Sequence, residues 1–150
     1  CALLGSGPAL ISTVDAWCSE DDFVAFVRAA RQRPADATVL AVTPLVADER
    51  PLWVAMGPDG RITGMGGDSG EMVTAGMYAV PERVRRLSAM GGLGRLREFL
   101  AWLVAQGEPV YGVVIPNVVD VDRAEDVALA EAMVRKEEAG EAVKPMGVVQ

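Results

Sequence analysis

The chain has 150 residues, half of them apolar and nearly a quarter charged, which supplies side-chain volume for one hydrophobic core and predicts one domain. A formal charge of −7 without any histidine argues against nucleic-acid or membrane-surface binding, whose affinity comes from clustered Lys and Arg. The same lack of histidine rules out Ser/His/Asp and Cys/His nucleophilic chemistry and histidine-ligated zinc. Cys1 and Cys18 have no CxxC spacing, so they make neither a zinc site nor a disulfide framework, and a reducing cytoplasm is the expected setting. No apolar run approaches the roughly 20 residues that span a bilayer.

In chain order, residues 9–15 follow a Gly-Ser-Gly-Pro turn signal and read as a buried strand ending in the carboxylate of Asp15. Ser19 suits a helix N-cap, and Phe23, Phe26, Val27 and Ala30 form one apolar stripe before Pro34 blocks continuation. Residues 38–43 are a near-continuous apolar strand of the kind covered on both faces. Residues 51–56 and 60–64 flank Gly57-Pro-Asp-Gly60 and predict a β-hairpin, set into the fold as an insertion, with a glycine-rich loop after it. Residues 72–80 predict another strand, and Pro81 suits the first position of the helix that follows, which Gly91, Gly92 and Gly94 break. Leu96, Phe99, Leu100 and Leu103 repeat the helical stripe up to Gly107 and Pro109. Residues 110–115 are a strand again, a helix is expected over about 123–138, and residues 140–150 read as a flexible tail beyond a domain of 1–139. Arg83, Arg85 and Arg86, the densest basic cluster, read as a solvated helix face, and Tyr78 and Trp53 as core. Alternation of strands and helices predicts an α/β sandwich with a mixed sheet, and such open sheets bind ligands beyond the carboxyl ends of their strands.

The run from Asn117 to Glu131 closes an apolar strand with Asp120 and Asp122 and at once opens a helix. Two readings are open at this point. In one, the aspartates solvate a loop while Glu125 and Asp126 complement the positive end of the helix dipole. In the other, Asp122 and Asp15, each at a strand end, hold a hard divalent cation such as Mg²⁺, which takes one or two carboxylates with phosphate oxygens and water completing its shell. The second arrangement suits phosphoryl or nucleotidyl transfer, where protein and metal position a polyphosphate and neutralise developing charge without a histidine base.

Ile11-Ser-Thr-Val-Asp15, then Val73-Thr-Ala-Gly-Met-Tyr78, then Val121-Asp-Arg-Ala-Glu-Asp-Val-Ala-Leu-Ala-Glu131, in this order, resemble the nucleotidyltransferase superfamily of sugar-phosphate nucleotidyltransferases and molybdenum-cofactor guanylyltransferase-like proteins. The resemblance covers residues 8–135 or so. It implies a Rossmann-like three-layer α/β sandwich with a mixed sheet and transfer of NMP from an NTP to a phosphorylated small molecule, a sugar phosphate foremost, with release of pyrophosphate. Carried over by position, Asp15 and Asp122 match the metal aspartates and Asp120 becomes a supporting neighbour. Gly76 matches the close-approach glycine beside the sugar phosphate, and Glu71 matches an acceptor of sugar hydroxyls. Ala124 stands where the family has Pro, and the family's glycine-rich, basic loop for the NTP phosphates has no match: Gly5-Ser-Gly7 is too short and lacks a following Lys or Arg. The chain also begins without Met and directly in apolar sequence, so it reads as the C-terminal portion of such a domain, inactive alone. Two other readings accompany this one: a non-catalytic binding or regulatory module of the same fold, and an unrelated Mg²⁺-dependent phosphatase.

Overall fold

A computed structural model of the protein describes residues 6–46, 50–90 and 95–138. Cys1, the glycines at 91, 92 and 94, and the tail expected over 140–150 lie outside the described residues. The elements in order are β1 (Ala9–Ser12), β2 (Ala16–Cys18), α1 (Glu20–Arg31), β3 (Thr38–Thr43), β4 (Trp53–Met56), β5 (Ile62–Met65), β6 (Met72–Val80), α2 (Glu82–Met90), α3 (Leu96–Ala105), β7 (Val110–Val114), β8 (Val118–Asp120) and α4 (Ala124–Glu138).

The main sheet runs β5-β4-β6-β3-β7, with β1 also on β6. It is mixed: β3 pairs parallel with β7 and antiparallel with β6. β3 is buried at all six positions because helices cover both of its faces, as an uninterrupted apolar strand requires. Its side chains alternate between two cores. Leu40 and Val42 join Phe99, Leu100, Leu103 and Val84 from α3 and α2 on one face. Val39 and Ala41 join Phe26 of α1, with Ala75 and Met77, on the other. This is the α/β sandwich with a mixed sheet expected from the alternation of elements, in the three layers that the resemblance implies.

α1 starts where Ser19 Oγ accepts a hydrogen bond from the Asp22 amide at 3.0 Å, and its first turn carries Glu20, Asp21 and Asp22, which complement the helix dipole. Gly60, with φ +81°, closes the turn between β4 and β5. The hairpin is not an insertion. Its strand β4 pairs with β6 through Trp53–Val73 and Val54–Met72, so it extends the main sheet.

β6 is the strand that positions the site. One of its sides follows β3 throughout, while the other meets β4 at its start and β1 at its end. The register against β3 shifts between Leu40, opposite Tyr78, and Val42, opposite Thr74, and the surplus residues on β6 include Gly76 with φ +70°. That φ is in the left-handed region that glycine tolerates and other residues resist. The expected strand over 9–15 ends at Ser12, because residues 13–15 leave the sheet to cross to β2. β2 and β8 form a separate antiparallel ladder in which Ala16 faces Asp120.

Arg83 and Arg86 are exposed and paired with Glu108 and Glu82. Arg85 departs from the solvated reading: it is buried and donates to the Gly7 carbonyl.

Candidate functional site

Three short backbone links bring distant residues to one place. The Thr13 amide donates to the Gly76 carbonyl at 2.9 Å, the Val121 amide donates to the Asp15 carbonyl at 2.9 Å, and the β2–β8 ladder sets Ala16 opposite Asp120. The result is a cavity of about 530 Å³ lined by Asp15, Thr74, Gly76, Tyr78, Asp120 and Asp122. Asp15 and Asp120 are half-buried and Asp122 is exposed. Four of the five residues singled out from the sequence therefore line one cavity.

Gly76 forms part of its floor. A Cβ there would lie 2.5 Å from Thr13 Oγ1, 2.6 Å from the Ala16 Cβ and 3.7 Å from an Asp120 carboxylate oxygen. The close contact at this glycine is between the β1–β2 turn and β6. Tyr78 follows two residues later. Burial pushes its phenol above the ordinary value, nearby Asp120 and Asp15 add to this, and a hydrogen bond with Thr74 and the charge of Arg97 oppose it.

Glu71 does not reach this cavity. It is exposed and lines a separate one of about 640 Å³ with Trp53, Met65, Met72 and the glycines that follow β5. Asp126 is part of the helix end: its carboxylate accepts from the Arg123 amide at 2.9 Å, and its own amide donates to the Arg123 carbonyl at 3.1 Å. Glu125 pairs with Arg123 at 3.5 Å. For these two residues the dipole-and-cap reading of the run holds, while Asp120 and Asp122 turn to the cavity. Cys18 is half-buried against the core, its Sγ 3.9 Å from the Met77 Sδ.

The sequence reading missed the cationic side of the cavity, which Arg50, Arg95 and Arg97 form. Arg97 donates to the Arg50 carbonyl at 2.8 Å, tying the start of α3 to the segment before β4. A signal was present: Arg95 occupies the N-cap of α3 without a side-chain cap bond, and Arg97 sits in the first turn, where the helix dipole disfavours positive charge.

Asp15 and Asp122 offer a hard cation carboxylate oxygens in an open cavity, a donor set that suits Mg²⁺ where further oxygen donors and water complete the shell. Among the described residues no group of three or more His, Cys, Asp and Glu is close enough to form a cage from protein alone.

The fold that holds this cavity is that of the nucleotide-diphospho-sugar transferases. Among solved structures the chain is similar to the inositol-1-phosphate CTP transferase from T. maritima, with 19% identity and a TM-score of 0.72 over 94% of this chain and 60% of that one. It is similar to a UDP-glucose pyrophosphorylase complexed with UDP-glucose, with 13% identity and a TM-score of 0.71 over 91% and 59% of the two chains. It is also similar to a UTP-bound UGPase from Acinetobacter baumannii, with 14% identity and a TM-score of 0.68 over 91% and 53%. The chain thus spans less than two thirds of the length of these structures. No protein-family model and no curated protein matches the sequence. No helix among the described residues is long and apolar enough to cross a membrane.

Proposed function

We propose that the chain is the metal and acceptor portion of a nucleotidyltransferase that moves NMP from an NTP to a phosphorylated small molecule, a sugar phosphate foremost, with release of pyrophosphate. The observation that carries this reading is the meeting of Asp15 and Asp122, far apart in sequence, in one cavity floored by Gly76. The likeness of the fold to sugar-phosphate nucleotidyltransferases supports it. Asp15 and Asp122 would hold Mg²⁺, with Asp120 beside them. The cation would neutralise charge on the reacting phosphate groups. The chain's own residues position: β6 and its bulge fix the floor, and the β2–β8 ladder holds the two acidic turns in register. Tyr78, with a phenol that stays protonated through neutral pH, can donate a hydrogen bond to an oxygen in the cavity. We place the protein in the cytoplasm, where NTP and sugar phosphates are available.

The test addresses the portion of such an enzyme that is present. Mn²⁺, a spectroscopic substitute for Mg²⁺, is titrated into the protein with glucose 1-phosphate and followed by electron paramagnetic resonance. Asp15→Asn and Asp122→Asn are each expected to weaken binding on the order of tenfold or more, since even partners of metal ligands matter at that scale. If both variants bind Mn²⁺ as the parent does, the metal assignment is wrong. Release of phosphate from glucose 1-phosphate without NTP would instead favour a phosphatase.

A further inference from the structure

Besides its carboxylates and arginines, the cavity carries an apolar patch made of Leu52, Leu96 and Leu100. Leu96 and Leu100 are one turn apart on α3 and share a face; Leu100 is buried at 1% exposure, whereas Leu96 keeps 39%. Leu52 is held at the site from two directions. The Thr74 amide donates to its carbonyl at 3.1 Å, and Arg97 ties the start of α3 to the Arg50 carbonyl, two residues before it. The hydrogen-bonding groups around the patch are matched to other tasks: the Leu52 and Arg50 carbonyls already accept, Thr74 is hydrogen-bonded to Tyr78, and the guanidiniums of Arg95 and Arg97 donate without accepting. A single exposed leucine is ordinary on a protein surface, but three leucines in a cavity lined largely by polar and charged groups give one part of a ligand an apolar partner.

Resting on the functional reading above, we propose that the acceptor is a phosphorylated deoxy sugar whose oxygen-poor carbon packs on this patch, and that Leu96 is the residue that selects it. A ligand that fills the cavity takes water away from Leu96. An alkyl carbon placed there gains from burial. A hydroxyl placed there gives up its hydrogen bonds to water, and its proton finds no free acceptor, because the carbonyls beside the patch are engaged and the aspartates are committed to the cation. The guanidiniums cannot help, since they offer the hydroxyl only further donors. The fully hydroxylated sugar is thus discriminated against at one carbon, while the phosphate contacts are common to both compounds.

The experiment compares glucose 1-phosphate with its 2-, 3-, 4- and 6-deoxy analogues by isothermal titration in the presence of Mg²⁺, so that each hydroxyl of the sugar is removed in turn. At least one analogue is expected to bind roughly fivefold tighter or more, the scale of burying one hydroxyl without a partner. Leu96→Met keeps the apolar contact and is expected to keep that preference. Leu96→Gln supplies an acceptor at the same exposed position and is expected to abolish or reverse it. Glucose 1-phosphate binding at least as tightly as every analogue, or a preference that survives Leu96→Gln, would overturn the inference and leave the functional reading intact. Failure of all the compounds to bind the parent protein would overturn that reading and this inference with it.

Discussion

Gly76 sits where three demands meet. β6 must bulge to pass from its register at Thr74 to its register at Tyr78, the bulge needs a φ of +70°, and the β1–β2 turn must lie directly on it. A left-handed conformation costs an L-residue roughly 1–2 kcal/mol, and forcing a methyl group into a packed contact costs about 1–3 kcal/mol more. Gly76→Ala is therefore expected to lower stability by about 2–5 kcal/mol in urea unfolding. Thr13 Oγ1 can rotate away from the new methyl, but the Ala16 Cβ at 2.6 Å is fixed to the backbone, so the turn itself must move. That turn carries Asp15 and, through the Asp15 carbonyl, holds Val121 beside Asp122. Mn²⁺ affinity should fall along with stability, and an unfolding midpoint equal to the parent's would show that the close approach is relaxed in solution. The resemblance marked this glycine as a close-approach position. It did not show which neighbour approached, because Thr13 and Ala16 become neighbours only through the crossing of residues 13–15.

At the scale of elements, α2 shows how local anchors create a pH dependence. The Glu82 carboxylate accepts from the Gly7 amide at 2.9 Å and pairs with Arg86, while Arg83 pairs with Glu108 after α3. These contacts hold both carboxyls below the ordinary value of 4.5, Glu82 chiefly through the Gly7 amide and Glu108 chiefly through Arg83. A depressed folded-state pKa means that the stabilisation is fully present above the unfolded value and is lost as pH falls through the folded one. Unfolding midpoints measured from pH 7 downward should thus stay level until near 4.5 and then drop, with a shallower drop in Glu108→Gln. An unchanged slope in that variant would mean that the Arg83 pair contributes nothing in solution. The effect is small because both pairs are near the surface. Neither the Gly7 nor the Glu108 anchor was legible in the sequence, since both residues meet α2 only in the folded chain. The strands at 38–43 and 72–80 were legible to the residue, because long apolar runs between turn signals have few alternatives. α1 was legible from Ser19 and its stripe, although Phe23 is exposed while Phe26 is buried. β2 and β8 were not, for three residues give no period to detect. The place of the hairpin depended on the pairing of β4 with β6, a choice made far from the Gly57-Pro-Asp-Gly60 turn that identified it.

For the whole molecule, the distribution of packing assigns different parts different stability. β3 is buried throughout between β6 and β7, with a core on each face, so its amides can exchange only when the sheet opens. α4 is anchored mainly through β8 and leaves Val127, Leu129 and Val134 exposed, so it can detach at less than the global cost. Asp122 lies at the hinge between these regimes, one residue past the Val121 amide that holds the Asp15 carbonyl and two before α4 begins. A cation shared by Asp15 and Asp122 would add a second link across the β1–β2 turn and the β8–α4 loop, close to the backbone bond that already joins them. Ligand that binds the closed arrangement and not the detached one raises the detachment free energy by RT ln(1 + L/Kd), where L is the free ligand concentration. Hydrogen exchange should therefore find α4 and residues 121–123 exchanging well before β3 and β6 in the absence of ions. Mg²⁺ with glucose 1-phosphate should slow residues 118–130 and leave β3 unchanged. Uniform slowing across both regions would mean that α4 opens only with the whole fold, and the anchoring argued from β8 would fail; no slowing at 118–130 would detach the metal from Asp122.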